Sequence, residues 1–197
     1  MGDTLAPGVA VVVVVAFFVL AMAVPFIATQ ARASVELWRG VSVLAAVVAY
    51  VAALLAYTVL PLPSTTAMER RCAQGRGAEA QLVPLHFLAD VGRDAASEGL
   101  SLLADPVLGQ VMLNVALFVP LGFGLRLLRG MSTGAIVATA VASSAVIEVS
   151  QGTGLWFVYD CAYRVMDVDD VLANTLGAAA GLAVALWVQG RRAKLTG

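Results

Sequence analysis

The chain has 197 residues, 60% of them hydrophobic and 13% charged, with a net charge of −1. Soluble domains carry about a quarter charged residues, so this composition excludes one and indicates a single integral membrane domain. Near-neutral charge without a basic stripe also excludes a nucleic-acid binder.

Five apolar runs follow one another, at residues 7–29, 41–63, 106–128, 134–151 and 170–188. Each is about 18–23 residues, enough to cross a hydrocarbon core of about 30 Å at about 1.5 Å rise per residue. The expected fold is therefore all-α, a polytopic membrane bundle of about five helices. Ala31-Arg32-Ala33 has the look of a cleavage site. The first run is nevertheless read as an uncleaved helix, because it is too long for a signal peptide and no Lys or Arg precedes it. Residues 1–40 then form an added helix and a cytoplasmic turn, and residues 41–190 the main transmembrane domain. The Ala, Val, Gly and Arg bias fits a GC-rich bacterial genome, hence the cytoplasmic membrane of a bacterium.

Orientation follows from Lys and Arg in the flanks. Arg32, Arg39, Arg126, Arg129, Arg191, Arg192 and Lys194 lie on one side in short flanks, which places the C-terminus in the cytoplasm and the N-terminus outside. Trp38 and Trp187 then mark the inner boundary and Trp156 the outer one. The loops 64–105 and 152–169 face outward, where disulfides persist. Cys72 and Cys161 lie one in each, and pairing would tie the two loops together. Within the long loop, the stretch from Leu82 to Leu88 is apolar and suits the interface. Residues 93–103 suit an amphipathic helical turn or two. His86 reads as an interfacial side chain and not a ligand.

Asp105-Pro106 opens the third span as an N-cap followed by a first-turn proline. Asn114 lies inside that span. Pro120 removes a helical hydrogen bond, and Gly122 and Gly124 leave the backbone open to close approach. In the fourth span Ser144, Glu148 and Gln151 fall on one face, at i, i+4 and i+7. Arg164 precedes Asp167-Val168-Asp169-Asp170, a cluster that suits the unpaired N–H groups opening the fifth span. Asp170, Asn174, Gly177 and Gly181 then form one stripe, with a Gly-xxx-Gly groove suited to close helix packing. Alternation of the spans puts Asn114, Glu148, Asp170 and Asn174 near the same membrane face. Ionisable groups in hydrocarbon cost about 2.5–3.5 kcal/mol each and usually mark function, so these residues are the candidate site.

The pieces Asn114-x3-Phe118-Val-Pro120-Leu-Gly122, Ile147-Glu148-Val-Ser-Gln151, and Arg164-x2-Asp167-x-Asp169-Asp170-x3-Asn174-Thr-Leu-Gly177-x3-Gly181 come in order on successive spans. Together they resemble the VanZ-like family over residues 106–186, and more loosely over 82–88. In relatives the earlier motif tends to read Asn-Leu-x-Pro-Phe; here it is Gln81-Leu82-Val83-Pro84-Leu85. The resemblance implies a small bacterial membrane protein with a four-helix core. The founding member is associated with resistance to teicoplanin more than to vancomycin.

Three functional readings stay open. In the first, a cell-envelope protein lowers susceptibility to lipoglycopeptides through an outer-leaflet polar site, with Asn114, Gln151, Arg164 and Asn174 binding a membrane lipid or lipid-linked envelope component. In the second, an enzyme acts on such a lipid. Glu148 and Asp170 would be its acid–base groups, and Asp167, Asp169 and Asp170 would hold a divalent cation. In the third, the chain is a transporter or structural partner subunit, and the Gly-xxx-Gly groove leaves a homo-oligomer open.

Overall fold

The computed structural model describes residues 34–60, 62–98 and 104–196. The expected first span at 7–29 lies outside the described residues, as do positions 99–103 of the expected amphipathic turn. The chain divides into two compact units, residues 1–70 and 71–197. The first holds α1, Ser34–Thr58, and most of α2, Thr65–Ala73. The second holds α3, His86–Glu98, and three long helices: α4, Pro106–Arg129, α5, Thr133–Gly152, and α6, Val168–Thr196. Among the described residues four helices are long and apolar enough to cross a membrane, at Trp38–Thr58, Pro106–Arg129, Thr133–Gly152 and Val168–Leu195. No strand occurs among the described residues, only an isolated parallel bridge between Gln81 and Asp167.

Local chemistry sets the helix ends. The Asp105 carboxylate accepts from the Leu108 N–H at 2.9 Å, and Pro106 follows it at the first helical position. α4 stops at Gly130, whose φ of 62° lets its N–H turn back to the Arg126 carbonyl. Such a left-handed cap is open to glycine without the Cβ penalty. Ser132 then caps α5 through the Ala135 N–H.

α4 and α6 form the main seam of the second unit. A Cβ on Gly177 would lie 2.1 Å from the Val115 carbonyl oxygen, and one on Gly181 would lie 2.0 Å from that of Val119. Gly122 returns the relation: its Cβ would lie 1.9 Å from the Ala178 oxygen. The seam is thus made of backbone against backbone, with Phe118, Ala178 and Ala185 fully buried along it. The Gly-xxx-Gly groove is filled from within by α4. Pro120 does not share in the packing. α4 runs on through it, and its ring is exposed on the other side of the helix. Gly124 likewise meets nothing nearer than a Leu128 methyl at 4.0 Å.

Candidate functional site

The N-terminus of α6 gathers side chains from α4, α5 and the long loop. Asp167 is its N-cap, accepting the Asp169 N–H at 2.8 Å. The backbone N–H of Asp167 itself donates to Glu148 Oε2 at 2.7 Å. Glu148 is 4% exposed. It thus supplies from α5 the return bond that a Glu in the helix's own first turn makes in a capping box. Asp170 faces α4, where Asn114 Nδ2 donates to Oδ1 at 2.5 Å and Gln110 Nε2 to Oδ2 at 3.4 Å. One turn deeper, Asn174 Nδ2 donates to Ser144 Oγ of α5 at 2.8 Å, with both residues buried. The Asn174 carbonyl oxygen finds no partner among the described residues. Gln151 is buried at the end of α5.

Asp169 points elsewhere. Its oxygens accept the N–H of Leu85 at 2.5 Å and of Phe87 at 3.0 Å. These are the orphan donors at the start of α3, so Asp169 caps α3 from a distant part of the chain. This explains why α3 begins at His86, seven residues ahead of the turn expected at 93–103. With the Asp169 carboxylate so engaged, Asp167, Asp169 and Asp170 do not converge. Among the described residues no group of three His, Cys, Asp or Glu is arranged to hold a metal. The donor set expected for a divalent cation is therefore spent on two helix caps and an amide pair.

Arg164 is half-buried, in electrostatic range of Glu148 and Asp170. Tyr159 and Tyr163 are buried beside it, with ring centroids 5.9 Å apart, and burial pushes both phenols above the usual value. Asp167 sits at the rim. Burial raises its carboxyl, against the Asp169 N–H bond, which lowers it. His86 contacts Asp90 at 3.0 Å on α3 and reaches no ligand set.

Two loops fold over this end of the unit. The segment after Cys72 runs parallel to residues 161–168. Ala78 N–H donates to the Ala162 carbonyl at 3.1 Å, Gln81 N–H to Met166 at 2.8 Å, and Val168 N–H to Gln81 at 3.0 Å. The Gln81 amide also donates to Asp167 Oδ1 at 3.4 Å. Cys72 and Cys161 are disulfide-bonded and clamp the start of this strap. After α5 the chain makes a left-handed turn, with φ of 64° at Gly154, 60° at Leu155, 56° at Trp156 and 66° at Phe157. Left-handed backbone costs a non-glycine residue about 1–2 kcal/mol, so three in a row cost about 3–6 kcal/mol. Part is offset by bonds from the Phe157 N–H to the Thr153 carbonyl and from the Tyr159 N–H to the Gly154 carbonyl, both 2.9 Å. Gly154 is required: a Cβ there would lie 2.5 Å from the Tyr159 oxygen.

The sequence singled out Asn114, Glu148, Gln151, Arg164, Asp167, Asp170 and Asn174, and all of them lie at this end of the α4–α5–α6 unit. It missed Gln81, Gln110, Tyr159 and Tyr163. Gln110 was legible as the residue one turn before Asn114. Gln81 stands at the head of the pre-span motif. The tyrosines carry only an i, i+4 spacing inside a loop, where helical spacing means little.

Fold and site together define a polytopic helical membrane protein with a carboxylate–carboxamide cluster held at the end of three packed spans. The VanZ/LLP1 family profile matches residues 47–189, which takes in the whole cluster. The chain belongs to the VanZ-like family. No curated protein and no solved structure matches it.

Proposed function

We propose that this VanZ-like protein acts in the bacterial cell envelope. There it lowers susceptibility to teicoplanin-type lipoglycopeptides through the polar site at the α6 N-terminus, placed in the outer leaflet of the cytoplasmic membrane. One observation carries the reading. Asn114 donates to the Asp170 carboxylate and Glu148 accepts the Asp167 N–H at the same helix start, with Asp170 and Arg164 still partly accessible. Teicoplanin carries an acyl chain, and a polar site at lipid headgroup depth meets a lipid-anchored ligand by lateral diffusion. A planar guanidinium such as that of Arg164 suits a phosphate or carboxylate on such a ligand. The outward placement rests on the basic flank Arg191, Arg192 and Lys194 at the C-terminal end of α6.

The enzymatic reading has less behind it. The backbone bond to Glu148 and the cap made by Asp169 give both carboxylates structural work. Retained lipid turnover in a Glu148→Gln, Asp170→Asn protein would eliminate it.

The test is susceptibility of a sensitive bacterial host to teicoplanin and to vancomycin. The host expresses empty vector, the chain, or its Glu148→Gln form at equal membrane level. The expected result is teicoplanin-selective protection by the parent and its loss in the variant. Equal susceptibility of all three strains refutes the proposal.

A further inference from the structure

Two stretches near the site expose large apolar side chains. The turn after α5 leaves Trp156 56% and Phe157 81% exposed, and the strap leaves Leu82 64%, Leu85 55% and Leu88 58% exposed. Neither stretch carries a charge to desolvate: no Asp, Glu, Lys or Arg lies within 80–89 or 152–159. Their levels are fixed independently. The turn starts two residues after Gly152, where α5 ends, and α5, at 20 residues, is about as long as a hydrocarbon core is thick. The strap is pinned through Gln81 to Met166 and Val168, at the first residue of α6. Both stretches therefore stand where spans leave the hydrocarbon, at the same end of the bundle. The Trp156–Phe157 backbone is also left-handed, a conformation that turns two aromatic rings outward in place of a relaxed loop.

We propose that the Trp156–Phe157 turn and the Leu82–Leu88 strap form one interfacial anchor. Its occupant is the headgroup–acyl boundary of the adjoining lipid leaflet. The adjoining spans expose apolar side chains as well, Val146 on α5 and Leu172 and Leu176 on α6. Aromatic rings favour that boundary, where an apolar body and a polar edge are both satisfied. Because the strap is bonded to the α6 cap through Gln81 and Asp169, the anchor sets the depth of the Glu148–Asp170 cluster. The proposal goes beyond the resistance reading and stands without it.

The experiment uses the full chain with Trp38→Phe and Trp187→Phe, leaving Trp156 as sole tryptophan and excited selectively over tyrosine, in phosphatidylcholine vesicles. Vesicles brominated at the 6,7 acyl positions are compared with plain ones, and iodide is added as an aqueous quencher. A second protein lacks all three tryptophans and carries Leu85→Trp. A third carries Glu79→Trp, an exposed position ahead of the apolar stretch, as the wet reference. The expected result is at least twofold bromolipid quenching at positions 156 and 85, with iodide quenching less than half that at position 79. Iodide quenching at either position equal to that at 79 overturns the anchor. Protection from both quenchers also overturns it, since it places protein and not lipid over the segment. Circular dichroism and the Cys72–Cys161 mobility shift certify folding of each variant.

Discussion

Replacing Gly181 by Ala tests whether the α4–α6 seam is as close as its geometry requires. The new Cβ would stand 2.0 Å from the Val119 oxygen and 2.8 Å from the Phe123 nitrogen. A carbon–oxygen contact settles at about 3.3 Å, so the helices must part locally by about 1.3 Å. Both obstructing atoms are backbone and cannot rotate away, which puts the cost at the upper end of the usual overpacking range, about 3 kcal/mol. Alanine recovers about 1 kcal/mol of helix propensity over glycine. The net expectation is a loss of about 2 kcal/mol, roughly a 30-fold shift toward the unfolded state. Gly124→Ala is the control, on α4, the other helix of the seam. Its Cβ has only the Leu128 methyl at 4.0 Å, so it keeps the propensity gain and meets no clash. The assay is reversible denaturation in mixed micelles, followed by circular dichroism. Equal or higher stability of Gly181→Ala, with Gly124→Ala as reference, refutes the close seam.

Asp169→Ala removes the charged acceptor of the Leu85 and Phe87 amides; bonds of this kind contribute about 1.5–3 kcal/mol together with a helix cap. Hydrogen exchange at those two amides should accelerate by about tenfold or more while the α4–α6 seam stays protected. Cys72→Ser opens a covalent link between residues 89 apart. The chain-entropy relation gives about 4–5 kcal/mol for it, read as a lower denaturation midpoint in non-reducing conditions. Asp167 gives a pH signature. Its folded carboxyl lies above the ordinary 3.8, so the ionised form costs stability, in full above the raised value. That cost falls away as pH drops through the raised value toward 3.8. Asp167→Asn should flatten this part of the stability–pH curve, and an unchanged slope rules the carboxyl out as its source.

Hydropathy alone located the four described spans, because a backbone crossing lipid must satisfy its polar groups within helices. The Asp105-Pro106 start of α4 was equally legible, since an N-cap and its proline are neighbours in sequence. So was the set Asn114, Glu148, Asp170 and Asn174, because helical periodicity and alternating spans fix both face and depth. What stayed hidden depends on partners far along the chain. Asp169 reads locally as a cap for its own helix, yet its oxygens serve Leu85 and Phe87. That diversion also dissolves the three-aspartate cation site, which spacing alone suggested. Pro120 announces a lost helical hydrogen bond, but nothing in its neighbours told which way its ring would face. The left-handed run at Leu155–Phe157 runs against the preference of those residue types, so no local propensity could announce it.

The cap on α3 has a consequence for how the protein is made. The residue that finishes this helix lies 82 positions after Phe87, at the start of the final span. At about 5–20 residues per second, the first turn of α3 waits about 4–16 s after its own synthesis for its acceptor. During that interval its free amides face the membrane surface without a protein partner. Insertion of α6 closes the seam with α4 and delivers the carboxylate in one event. A chain truncated before Asp169 therefore lacks more than a span: its α3 has no native way to begin.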